Sequence, residues 1–157
     1  MVNNENKYTL EQLDLMVTAD DWLVRGYVAR RCHKLNVLVG DPCVYVRHAV
    51  AKQGYGLDIL INDDCSYVRE AVANQGYRLD ILINDDSDWV RAEVANQGYG
   101  LDILINDIDW LVREAVANQG YGLDILINDK SEYVRGAAKK KLISVGRGVN
   151  ANNTDSN

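Results

Sequence analysis

Residues 63–84 read Asp63-Asp64-Cys65-Ser66-Tyr67-Val68-Arg69-Glu70-Ala71-Val72-Ala73-Asn74-Gln75-Gly76-Tyr77-Arg78-Leu79-Asp80-Ile81-Leu82-Ile83-Asn84, and this stretch is one copy of a repeat. The copy before it, from Asp41, reads DPCVYVRHAVAKQGYGLDILIN. The two after it, from Asp85 and Asp107, read DDSDWVRAEVANQGYGLDILIN and DIDWLVREAVANQGYGLDILIN. The period is 22 residues, with no insertion. A degenerate copy starts at Ala19 and a truncated one at Asp129, so the copies begin at 19, 41, 63, 85, 107 and 129. Arg25, Arg47, Arg69, Arg91, Arg113 and Arg135 mark them. A fixed period of this length is the signature of a repeat architecture.

Each copy holds two helical pieces. The longer covers Asp64 to Gln75, with Asp63 placed to cap it and Gly76 able to take the left-handed conformation that ends a helix. In the shorter, Leu79, Leu82 and Ile83 share the i, i+3, i+4 spacing of one face. It is about two turns long, α or 3₁₀; the β-prone LDILI letters also fit a short strand. A two-helix unit this small has no core of its own and must stack on its neighbours, which predicts an all-α solenoid of five to six repeats.

The flanks fit that expectation. Residues 1–18 predict a capping helix, with Thr9 and Gln12 spaced as a capping box and Leu10, Leu13, Met16 and Val17 covering the first repeat. The array is expected over 19–145. Lys139, Lys140 and Lys141 replace the Ala, Asn and Gln of inner copies, as in a polar end cap. Residues 146–157, rich in Gly, Asn and Ser, predict a disordered tail.

Composition narrows the class. Of 157 residues, 47% are hydrophobic and 25% charged, and the formal net charge is −6, as in ordinary globular chains. No apolar run approaches the ~18 residues of a membrane helix, and the polar start predicts no signal peptide. The 3 cysteines, Cys32, Cys43 and Cys65, do not make a disulfide scaffold. A reducing, cytoplasmic setting is expected.

The pattern Asp-x-x-x-x-Val-Arg-x-x-Val-Ala, as in Asp63 to Ala73, resembles the second helix of HEAT repeats. It is still more similar to the leucine-rich repeat variant family, whose units are of similar length. The resemblance covers about residues 19 to 140. It implies a right-handed superhelix in which each repeat pairs an α-helix with a short, often 3₁₀, helix. It also implies binding rather than catalysis: HEAT-type arrays mostly bind proteins, and some related arrays bind nucleic acid. Some leucine-rich repeat variant proteins carry an amino-terminal iron–sulfur cluster; no cysteine cluster precedes the repeats here, so no cofactor is expected.

The arginines can be read as a phosphate-binding stripe or as a structural ladder. The resemblance favours the ladder, in which Asp–Arg pairs tie adjacent helices. The expected partners of Arg47, Arg69, Arg91, Arg113 and Arg135 are Asp41, Asp63, Asp85, Asp107 and Asp129, each six residues earlier. A second row, Asp58, Asp80, Asp102 and Asp124, is too widely spaced to share one metal ion. The Asn and Gln rows before each Gly, and Tyr55, Tyr77, Tyr99 and Tyr121 after it, read as structural. Cys43 and Cys65 occupy one position in adjacent copies, too far apart for a disulfide. His33 and His48 stand without a Ser–His or Cys–His arrangement, so no enzyme is expected.

A helical wheel places repeat positions 4, 8 and 12 of the long helix opposite the apolar positions 6, 9 and 10. Trp22, Asp88 and Trp110 fall at position 4, and His48, Glu70 and Glu114 at position 8. Tyr67 and Trp89 stand beside them at position 5. Aromatics among polar groups are the composition of a protein-binding hot spot, so these eight residues form the expected site. Trp110 is expected to be the cleaner probe, because Trp89 shares its position with tyrosines. Residues 41–128 hold 15 acidic and 6 basic side chains, which argues against nucleic acid. The expected role is a non-enzymatic adaptor for a protein partner, with self-association open. The alternatives are a nucleic-acid-binding HEAT-like array and an acidic, phage-type inhibitor of a host defence nuclease.

Overall fold

Why the chain breaks into helices is visible in the backbone of each copy. In the computed structural model, which describes residues 8–151, the fold is all-α: twelve helices and no strand among the described residues. They fall into two compact units, residues 1–77 and 78–157. The first unit holds α1 (Leu10–Met16), α2 (Trp22–Arg30), α3 (Leu35–Leu38), α4 (Val44–Ala51), α5 (Leu57–Leu60) and α6 (Ser66–Asn74). The second holds α7 (Leu79–Leu82), α8 (Asp88–Asn96), α9 (Leu101–Leu104), α10 (Trp110–Gln119), α11 (Leu123–Leu126) and α12 (Glu132–Ala151).

Each long helix starts two residues later than its capping Asp suggests. Cys65, not Asp63, is the N-cap of α6, and Asp63 Oδ1 accepts the Cys65 N–H at 3.0 Å. Asp41, Asp85, Asp107 and Asp129 accept from Cys43, Ser87, Asp109 and Ser131 in the same way, at 2.7 to 2.9 Å. The Asp therefore shapes the turn ahead of the helix and keeps its second oxygen for another donor. The helix then ends in a Schellman motif. Gly76 (φ +70°) donates to the Ala73 carbonyl and Tyr77 to that of Val72, with the same pattern at Gly98–Tyr99 and Gly120–Tyr121.

The short piece is an α-helical turn in all five copies that have one, which removes the strand alternative. Its entry needs a second left-handed residue: Gly56, Gly100 and Gly122, but also Lys34 (φ +50°) and Arg78 (φ +46°). At Gly100 and Gly122 glycine is needed for space as well. A Cβ there would run into Ile83 Cδ1 and Ile105 Cδ1, the ends of the preceding short segments. So α7, α9 and α11 follow one another in a row, each resting on the next.

The core is made by the long helices. Val46, Val50 and Ala51 of α4 are fully buried, as are Val68, Val72 and Ala73 of α6, Val90, Val94 and Ala95 of α8, and Val112, Val116 and Ala117 of α10. Each buried Val adds roughly 1.5–3 kcal/mol. α2 packs on α4 and α4 on α6; α8 packs on α10 and α10 on α12. Leu60, Leu82, Leu104 and Leu126 seal the short helices from below.

Arginine clips join the tiers. Arg91 Nε and Nη2 donate to the two oxygens of Asp107 at 2.7 and 2.9 Å. Its Nη1 donates to the Asp85 carbonyl at 2.9 Å. Arg113–Asp129, Arg25–Asp41 and Arg47–Asp63 repeat the arrangement. The expected carboxylate register is thereby corrected: Arg25, Arg47, Arg91 and Arg113 each pair with the Asp sixteen residues ahead, and from the residue six before they take the backbone carbonyl. The fork geometry requires it, since a bidentate pair must approach a carboxylate end-on, and the Asp turn aims its oxygens at the previous tier. Burial pushes the Asp107 carboxyl up, but the Arg91 hydrogen bonds and the Asp109 N–H outweigh it, and its pKa lies below the usual value. At Asp129 the Arg113 bond is the larger effect and also lowers it.

At the amino end the Thr9–Gln12 capping box forms as expected. Leu13 and Val17 are buried, whereas Leu10 points into solvent. Asp14 on α1 reaches His33 Nε2 at 2.8 Å and Lys34 Nζ at 3.3 Å, fixing the helix to the turn after α2. At the other end α12 runs on past 146, the expected boundary of the tail, to Ala151; residues 152–157 lie outside the described residues. No helix among the described residues is long and apolar enough to cross a membrane.

Candidate functional site

The outward arc of each long helix passes through repeat positions 5 and 12, with positions 4 and 8 on its shoulder. Trp89 at position 5 is 61% exposed, while Trp22 and Trp110 at position 4 are 39% and 41% exposed. Tyr67 is exposed as well, and Asp88, His48, Glu70 and Glu114 are half-buried. Ala92, at position 8 of its copy, is buried, so that position is not uniformly outward.

The aromatics do not stand alone. In the first unit Trp22 lies against Tyr45 with ring centroids 5.0 Å apart, and Tyr45 meets the edge of Tyr67 at 6.4 Å. His48 stacks flat on Tyr67 at 3.8 Å, with 10° between the rings. In the second unit Trp110 lies on Tyr133 at 4.8 Å. In each case a side chain of one copy rests on a ring of the next. Such pairs add about 0.5–1.5 kcal/mol beyond burial. Burial lowers the His48 pKa, and the charge of Lys52 lowers it further.

Beside these rings the spaces between successive long helices open as shallow grooves. Between α10 and α12 a groove of about 530 Å³ is lined by Glu114, Asn118, Glu132, Tyr133, Gly136 and Lys140. Between α4 and α6 a smaller one, about 130 Å³, is lined by His48, Lys52, Glu70 and Asn74. Both sit at positions 8 and 12. Of the eight expected site residues His48 and Glu70 line the first groove and Glu114 the second, Tyr67 stacks on His48, and Trp22, Asp88, Trp89 and Trp110 line neither.

The clip arginines do not contribute to this face. Arg25, Arg47, Arg91 and Arg113 each spend their guanidinium on a carboxylate and a carbonyl. Among the described residues no group of three His, Cys, Asp or Glu side chains is placed to hold a metal ion, and Cys32, Cys43 and Cys65 are free thiols.

One exposed feature escaped the sequence reading. The Ile inside each short helix, at position 19, faces solvent: Ile59, Ile81, Ile103 and Ile125, with Val37 in the first copy. Its signal was present, since Asp-Ile is unchanged at 58–59, 80–81, 102–103 and 124–125 while positions 4, 5 and 8 vary. No protein-family model matches the chain, and no curated protein matches it.

Proposed function

We propose that the six copies form one α-solenoid of the HEAT-like or leucine-rich repeat variant kind, and that it is a non-enzymatic adaptor. It binds a protein partner through the aromatic shoulder and grooves of its long helices. The observation that carries the reading is the set of exposed rings on the long helices, Trp22, Tyr45, Tyr67, Trp89, Trp110 and Tyr133, together with two grooves of polar lining, one lined by Tyr133 and the other by His48, which stacks on Tyr67. Rigid aromatic area beside adaptable polar groups is what interface hot spots are made of. The solenoid is supported by the unbroken 22-residue period and by the Arg clips within each unit. Nucleic acid is disfavoured by the net −9 of residues 41–128 and by the commitment of the arginines to Asp.

Photo-crosslinking tests it. A photoreactive phenylalanine analogue placed at Tyr67 or Trp89 should capture a protein in extracts of the source cell. The same analogue at Ile108, exposed in the turn ahead of α10, should not capture that protein. A label that transfers to RNA or DNA, or equal capture from all three positions, would sink the reading.

A further inference from the structure

The short helices carry an exposed row that neither the core nor the long-helix face uses. Within the second unit, Ile81, Ile103 and Ile125 are 46%, 61% and 62% exposed, on α7, α9 and α11. Asp80, Asp102 and Asp124 precede them, also exposed. Around them Tyr99 and Asn106, and Tyr121 and Asn128, are exposed as well. The contacts Ile83–Gly100 and Ile105–Gly122 put these short helices in consecutive order.

Folding does not account for the isoleucines. Leu82, Leu104 and Leu126 with Ile83 and Ile105 already bury the inward side. A β-branched residue on the solvent side of a helix is a poorer helix former than Ala, Glu or Lys, and a row of them invites aggregation. An Asp in the first turn has the helix dipole as its own reason to be there; the Ile has none. Repeat duplication alone does not explain it either, because positions 4 and 5, exposed or half-buried, diverged between the same copies, from Ser66-Tyr67 to Asp88-Trp89 to Trp110-Leu111.

Charge says what kind of chain covers the row. Residues 79–128 hold 10 acidic side chains and 2 basic ones, and those two, Arg91 and Arg113, are bound to Asp107 and Asp129. Stacked helical rungs lie roughly 8–10 Å apart. One heptad of an α-helix advances about 10 Å. We propose that the Ile81–Ile103–Ile125 row with its flanking aspartates is a second docking surface, for a cationic amphipathic helix that sets one aliphatic side chain per heptad on each rung.

The probe is a synthetic 21-residue helical peptide with Leu at every seventh position and Lys on both sides of each Leu, followed by fluorescence anisotropy against the full chain. Binding should weaken tenfold or more when Leu is replaced by Ser at constant charge, or Lys by Glu at constant Leu. The double variant Ile103→Gln/Ile125→Gln should lose tenfold or more while melting as the parent does. Asp102→Asn/Asp124→Asn should lose affinity at low salt and converge on the parent at high salt. Trp89→Ala should bind the peptide unchanged, which separates this surface from the long-helix face. No binding, equal affinity for the Leu-free peptide, or full affinity in the Ile double variant would overturn the proposal. So would a concentration-dependent dimer abolished by the Ile substitutions, which would make the occupant a second copy of this chain.

Discussion

Arg91 closes a two-pronged ion pair on Asp107, sixteen residues ahead, while its third nitrogen holds the carbonyl of Asp85, six residues behind. Only 8% of the Asp107 side chain is exposed, so removing the guanidinium leaves a charge with little water to turn to. Arg91→Ala is expected to destabilise by about 2–4 kcal/mol. That corresponds to a fall in melting temperature of roughly 5–15 °C for a chain of this size. Arg91→Lys should recover only part, because an ammonium cannot make the parallel pair. Circular dichroism during heating checks both; an unchanged melting curve for Arg91→Ala would refute the clip.

The same pairs set the response to acid. The Asp41, Asp63, Asp107 and Asp129 carboxyls are held below their ordinary pKa. A depressed folded pKa means that the unfolded chain binds protons first. The stabilisation is fully present above the unfolded value, about 3.9, and is lost as pH falls through the folded values. The melting temperature should therefore change little from pH 7 to 5 on account of these groups and fall steeply below about 4. Asp107→Asn should start lower and fall less steeply.

His48 gives a second, milder window. Its pKa is lowered by burial and by Lys52, and the ring lies flat on Tyr67. Stability from this site is complete above the unfolded His value of about 6.5 and declines below it toward the folded one. A His48→Gln variant should lack the slope just below pH 6.5, measured by urea denaturation at closely spaced pH values.

Two glycines of one copy should differ in their tolerance of alanine. Gly98 (φ +76°) has open space where a Cβ would stand, whereas at Gly100 (φ +62°) a Cβ meets Ile83 Cδ1. Gly98→Ala bears only the left-handed cost, about 1–2 kcal/mol. Gly100→Ala adds the displacement of the Ile83 rotamer, up to about 1.5 kcal/mol more. Equal losses would show that the isoleucine turns aside freely.

The tryptophans exchange the parts that the wheel gave them. Trp110 lies on Tyr133, so Trp110→Ala should cost stability, about 1 kcal/mol. Trp89 is the more exposed, and Trp89→Ala should leave the melting temperature close to the parent's. Partner capture, scored on both variants, then reads binding cleanly at Trp89 alone.

What the letters reveal and what they hide have physical reasons. Helices show in sequence because Val and Ala at positions 6, 10 and 11 and the Gly at position 14 are local signals. The Arg–Asp register does not show. In a 22-residue period an Asp six residues before each Arg stands sixteen residues after the Arg of the preceding copy, so both pairings satisfy the same letters. Only the aim of the Asp turn separates them. The entry to the short helix was equally opaque, since Lys34 and Arg78 adopt the left-handed backbone that three glycines adopt elsewhere. The proposed long-helix face rests on a composition that the sequence displays, but an exposed Ile is indistinguishable from a buried one until the neighbouring tier is in place.

The sixteen-residue clip also bears on how such a chain can change its length. Each fork reaches out of its own copy, so a gene rearrangement that adds or removes a whole 22-residue unit restores an Arg opposite an Asp at the splice. Any other length leaves a guanidinium facing the wrong residue and an aspartate turn with no visitor. Whole copies are thus exchangeable parts, and natural variants of such a chain are expected to grow and shrink in steps of 22.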